Sequence, residues 1–203
     1  HAWACWEVYR RTMRDGKGDR LFLARIFHKL MLNFTWWVNR KDADGHNIFE
    51  GGFLGLDNIG AFDRSAPLPK GWELQQSDAT SWVATFALKM MRIALELARH
   101  DPVYEDLATK FFLHFLEIAR AMTSVAGTGI GLWDEKDEFY FDCLVGPDGS
   151  PHPMRIYSLV GLIPLLAVET IEPDLLRELP HFGEQVELTM RNRPELAGLV
   201  SRW

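Results

Sequence analysis

Between Ala79 and Ala98 the apolar residues recur at helical spacing on two faces at once. Ala79, Trp82, Val83, Phe86 and Met90 form one stripe, and Leu88, Met91, Leu95 and Ala98 form another. A helix that is apolar on two sides must be covered on two sides, so this segment demands neighbours in front and behind. The stretch from Asp19 to Asn39 repeats the design, with Phe22, Ile26, Leu30, Phe34 and Trp37 on one face and Leu23, Phe27, Met31 and Val38 on a second. The segment from Val103 to Met122 differs. There Tyr104, Leu107, Ala108, Phe111, Phe115 and Ile118 make one stripe, while Glu105, Asp106, Lys110 and Glu117 face elsewhere. One covered side is predicted for it. Buried helices alternating with one-sided ones imply two layers, the organisation of an all-α solenoid or an α/α toroid.

The rest of the chain is read around that frame. A helix is expected from Arg155 to Ile171, kinked at Pro164, and a more polar one from Phe182 to Arg191. Asp101-Pro102 supplies a start for the Val103 helix, since proline in a first turn gives up no needed amide. Two long irregular segments, 42–76 and 123–154, interrupt the pattern, and loops of that length are often functional. Within the second, "GLWDEKDEFYFDCLV" alternates apolar and polar residues about an acidic turn and reads as a short β-hairpin. The chain opens at His1 directly into the helical pattern "HAWACWEVYRR", which reads as part of something longer: residues 1–203 are expected to form a single, partial domain.

Composition excludes several classes. Apolar residues make up 47% and charged residues 25%, as in a folded globular protein. The net charge of −6 argues against nucleic-acid partners, because a phosphate backbone would be repelled. The apolar run Ile156 to Val168 is too short to span a bilayer, so no membrane partner is expected. Cys5 and Cys143 stand far apart in no metal-like spacing, and a reducing, cytoplasmic setting fits them best.

Four clusters carry candidate chemistry. In "GLDNIGAFD", Asp57 sits among Gly55, Leu56, Ile59 and Gly60, with Asn58 beside it and Glu50 and Asp63 flanking. A carboxyl with apolar neighbours holds its proton nearer neutral pH, which suits a general acid that protonates a glycosidic oxygen. An Asx-turn explains the same residues at least as well. In "DADGHNIFE", Asp42, Asp44 and Glu50 alternate about Gly45 in a pattern reminiscent of a calcium loop. The glycine falls at the fourth position and the glutamate comes early, so a solvated turn accounts for the segment better and no metal or other cofactor is expected. "QQSDATSW" places Gln76, Asp78 and Trp82 at the start of the two-faced helix, where Ser77 or Asp78 serves as a natural N-cap. The alternative is a pocket mouth in which amide and carboxylate meet sugar hydroxyls beside an aromatic ring. Trp133, Asp134, Tyr140 and Asp142 offer the same mixture in the hairpin, although core packing explains most tryptophans. The histidines form no triad.

In order along the chain, "FEGGFLGLDNIGAFDRS", "QSDATSWVATFALKMMRIALELA", "GLWDEKDEFYFD" and "MRIYSLVGLIPLLAVE" resemble glycoside hydrolase family 63, in particular its microbial branch related to mannosyl-oligosaccharide glucosidase. The resemblance covers nearly the whole chain. It implies an (α/α)6 barrel and inverting hydrolysis of α-glucosidic bonds in oligosaccharides. It assigns Asp57, in "GLDN", as the general acid. Glu50 and Asp63 stand beside it as supporting candidates that orient the loop or touch the sugar, and the local patterns add Asn58, Gln76, Asp78, Trp82, Trp133 and Asp134 as candidate sugar contacts. The resemblance also places the catalytic base, a glutamate, outside these residues, so the remainder of the barrel is an expected partner and the chain alone is expected to be inactive. Two other readings stand beside it. A sugar epimerase on the same toroid needs a facing pair of histidines, which the sequence does not provide. A non-catalytic carbohydrate-binding or scaffold protein keeps the aromatics without the acid pair.

Overall fold

A computed structural model describes residues 1–14, 16, 18–39, 60, 63–64, 66–123 and 131–198. The chain is mostly helical with small antiparallel sheets. It divides into two compact units: His1–Trp36 with Thr85–Leu116 and Val168–Trp203, and Trp37–Ala84 with Glu117–Ala167.

The first unit is helical. It contains α1 (Ala2–Arg14), nearly all of α2 (Arg20–Val38), most of α3 (Ser77–Ala98) and of α4 (Val103–Thr123), and the shorter α5 (Pro173–Glu178), α6 (Pro180–Asn192) and α7 (Pro194–Ala197). Asp19 Oδ1 accepts the Phe22 amide at 2.8 Å and starts α2. Asp101 does the same for Val103 at 3.2 Å, as its position before Pro102 predicts. The core is aromatic: Phe27 meets Tyr104 and Phe111 edge-on, and Phe34 meets Phe86, Phe111 and His114 with ring centroids 5.0–5.6 Å apart.

α3 is buried around nearly its whole circumference, as its two apolar faces require. α4 keeps an outward stripe through Asp106 and Lys110. α2 departs from expectation. Only Leu23, Phe27, Leu30 and Phe34 are buried, and Leu21, Leu32 and Trp36 are exposed. Its apolar pattern records how much water-averse surface the helix carries, whereas burial depends on how many neighbours reach it.

The second unit holds the strands. β1 (Glu73–Gln75) and β5 (Pro151–Met154) flank β4 (Asp142–Val145) in an antiparallel sheet of three. β2 (Trp133–Asp134) pairs with β3 (Phe139–Tyr140), forming the expected hairpin. In the larger sheet, β1 and β5 occupy residues read as irregular from sequence, and β4 lies in the stretch read as the hairpin. Two prolines disguise β5, yet it pairs from Asp142↔Met154 to Val145↔Pro151. Proline is tolerated on an edge strand, where its missing amide faces away from the ladder.

The helix expected over 155–171 is instead a 3₁₀ helix, Leu159–Leu166. Pro164 has no amide to give and its ring crowds the preceding turn, which penalises a continuous α-helix. Gly161 fixes where this element lies: a Cβ there would stand 2.1 Å from Phe139 Cε1 and 2.2 Å from the Tyr140 carbonyl oxygen. Both cysteines are free thiols. No helix among the described residues is long and apolar enough to cross a membrane.

Candidate functional site

In the second unit β1 runs into α3 through Gln76, so the sheet delivers the start of that helix. The first amides of a helix have no partner within it and carry partial positive charge. Two carboxylates meet them here. Asp142, the first residue of β4, accepts the Ser77 amide at 2.9 Å and the Ser77 hydroxyl at 3.1 Å through Oδ1. Asp78 accepts the Ala79 amide at 2.8 Å. The sequence pointed to Ser77 or Asp78 as the cap, but the Ser77 amide is met by a carboxylate 65 residues away in the chain.

Arg64 lies between these acids. Its Nη2 and Nη1 reach Asp78 Oδ1 and Oδ2 at 2.5 and 3.2 Å, a two-pronged match of planar groups. Its Nε is 3.0 Å from Asp142 Oδ2. All three side chains are buried. One cation thus serves two carboxylates, and burial drives the Asp142 carboxyl above the ordinary value, with Arg64 and the Ser77 amide pulling the other way.

Gln75 and Gln76 are buried beside this cluster in sequence, and their side-chain Oε1 atoms have no hydrogen-bond partner among the described residues. Unmet buried acceptors are costly, and these two atoms are closed off from solvent. A cavity of about 30 Å³ is lined by Arg64, Tyr140, Phe141, Asp142, Ile156 and Val160. That is room for water, not for a sugar ring.

The sequence candidates fall as follows. Asp57, Glu50 and Asn58, with the calcium candidates Asp42 and Asp44, lie outside the described residues. Asp63 is exposed and its carbonyl accepts the Ala66 amide. Asp78 is joined to the hairpin's far end, Asp142, through Arg64. Trp82, one turn beyond Asp78, is 39% exposed. Trp133 is half-buried and packs edge-on against Tyr140 at 4.9 Å. Asp134 holds its own turn, accepting the Lys136 and Asp137 amides at 3.0 Å and pairing with Arg155 at 2.6 Å. The Asp137 amide is the chief cause of its lowered pKa. Among the described residues, no cluster of His, Cys, Asp and Glu could hold a metal ion.

Arg64 is the residue that sequence reasoning missed. Its signal was indirect: two acids bound for the interior, Asp78 and Asp142, require a cation, and "FDRS" supplies one.

No family model matches the chain, and no solved structure matches it. The chain is 50% identical over 209 residues to "Uncharacterized protein YMR196W" of Saccharomyces cerevisiae. The match takes in 97% of this chain and 19% of that protein, so the chain spans about a fifth of its relative's length.

Proposed function

We propose that this chain is the acid-bearing portion of an inverting α-glucosidase domain of the glycoside hydrolase family 63 type, folded as part of an (α/α)6 toroid. The observation that carries this reading is the run of four motifs in order, from "FEGGFLGLDNIGAFDRS" to "MRIYSLVGLIPLLAVE". Three features support it. α3 is buried nearly all round, as an inner-ring helix must be. The start of that helix and the strand carrying Asp142 meet through a buried ion cluster, a rigid support for an adjoining loop. The relative is about five times as long, which leaves ample sequence for the remaining helices and a catalytic glutamate.

In this mechanism Asp57 protonates the glycosidic oxygen while a glutamate outside these residues activates water on the opposite face of the sugar. Inversion needs the two carboxyls about 6.5–9.5 Å apart, leaving room for that water. General acid catalysis is worth about 10² to 10⁴ in rate. Asp57→Asn in the longer protein should therefore lower kcat on an α-glucoside by about that factor. α-Glucosyl fluoride, whose leaving group needs little protonation, should lose much less. Equal losses on both substrates, or none, remove Asp57 from the acid role.

A further inference from the structure

In a 3₁₀ helix the side chains three residues apart lie directly above one another. Leu159, Leu162 and Leu165 therefore form one straight ridge of the segment Leu159–Leu166. The neighbouring row, Val160 and Ile163, is buried. The leucine ridge is not: Leu159 is 58%, Leu162 46% and Leu165 70% exposed, and Leu166 at 52% and Tyr157 at 65% widen it. Single apolar residues on a surface are ordinary, but an aligned, contiguous row marks an interaction site.

The helix cannot roll to hide this row. Gly161 is wedged against Phe139 and the Tyr140 carbonyl at a distance that excludes any Cβ, and Ser158 Oγ accepts the Val160 amide at the start of the element. Roll and position are both set by β3, so the ridge is held outward by construction.

We propose that this ridge is the docking face for an amphipathic helix supplied by the same polypeptide outside residues 1–203. Two observations select that occupant. The relative that is 50% identical across this region is about five times as long, so there roughly four-fifths of the polypeptide lies outside the counterpart of this region and is tethered to the ridge. A tethered partner acts at high effective concentration and outcompetes free ones. The leucine row itself carries no charge, since Ser158 to Val168 contains no ionisable group, and charge enters only at the Tyr157 end, where the tyrosine hydroxyl donates to Asp137. That suits the apolar stripe of a helix. It does not suit a nucleic acid or an anionic lipid surface, both of which are met with Lys and Arg.

The inference shares with the proposed function only the placement of this region within a longer chain. It does not depend on the chemistry, and its test reads no activity.

The test replaces Leu162 with a photo-crosslinking phenylalanine analogue in the complete reading-frame product and maps the linked peptides by mass spectrometry. Because Leu162 is exposed, the substitution leaves this region's own core intact. The expected result is a monomer-mass product in which position 162 is joined to a peptide outside residues 1–203. Leu162→Glu with Leu165→Glu should then raise amide exchange across 157–168 several-fold in that protein, while Leu162→Met with Leu165→Met should not. A product of twice the mass makes the ridge a self-association face and overturns the proposal. So do links confined to residues 1–203, no link at all, or unchanged exchange in the double glutamate variant.

Discussion

In the unit that contains α1 and α2, most ion pairs stand at or near the rim. Arg92 meets Glu172 at 2.8 Å and Arg99 meets Glu178 at 2.7 Å, while Lys89 and Glu169, 2.7 Å apart, are mostly covered. Its interior is Phe27, Phe34, Phe111 and their neighbours, with Glu105 as the buried exception, engaged by the Phe182 amide. In the unit that contains the sheet, Arg64, Asp78 and Asp142 lie inside. The difference separates two ways of specifying a fold. Aromatic packing rewards any arrangement that excludes water at native density. A buried ion cluster adds little net stability over an apolar replacement, but it accepts only the geometry in which every charge is met. The start of α3 and the head of β4 are therefore held in register by demand rather than by surplus energy, which is what a site needs from its scaffold.

The hardest test of this contrast is Arg64→Ala. It leaves two buried carboxylates unmatched and should cost about 3–5 kcal/mol in global unfolding, with raised amide exchange at β1, β4 and the start of α3. A loss below about 1 kcal/mol would show that the cluster is no tighter than a surface pair.

A smaller effect is expected from pH. The folded Asp142 carboxyl titrates above its ordinary value because of burial, so the folded state keeps a proton that the unfolded chain has released. Its contribution is full below the ordinary carboxylate value and is lost as pH rises through the raised one. Asp142→Asn mimics the protonated acid. The stability of wild type relative to this variant should fall with rising pH across that window, as read from denaturant titrations at several pH values. A rise instead would mean that Arg64 outweighs burial.

The smallest effect should come from the rim. Arg99→Gln breaks exposed contacts to Glu178 and Glu96 and should change stability by about 0–1 kcal/mol, less at high salt. A larger loss would place structural weight on the cleft of about 240 Å³ lined by Arg92, Glu96, Arg99, Glu172, Asp174 and Leu175.

Long elements were legible in the sequence because periodicity accumulates over many residues. α2, α3 and α4 fall within a few residues of the spans predicted for them. Short elements defeat that signal. β1 is three residues long, and β5, Pro-His-Pro-Met, carries the residues that usually argue against a strand. The 3₁₀ helix was hidden by its own hydrophobicity, since an apolar run containing Pro164 resembles a kinked α-helix until Gly161 is seen against Phe139. At the buried ion cluster, Asp78 and Asp142 could be named from local pattern. Arg64 could not, because a single arginine has no spacing, and its meaning comes from partners 14 and 78 residues further along the chain.

The two prolines of β5 have a consequence beyond the fold of one molecule. The pairing with β4 must draw its β5 amides from His152 and Met154, since Pro151 and Pro153 have none. On the opposite side of the strand, the row that would greet an incoming strand is missing its donors at both positions. A nascent or partly unfolded copy that presents an extended segment there finds acceptors but no answering amides, and the pairing cannot zip. The sheet can therefore be left with an open flank during synthesis without becoming a seed for cross-β growth from that side.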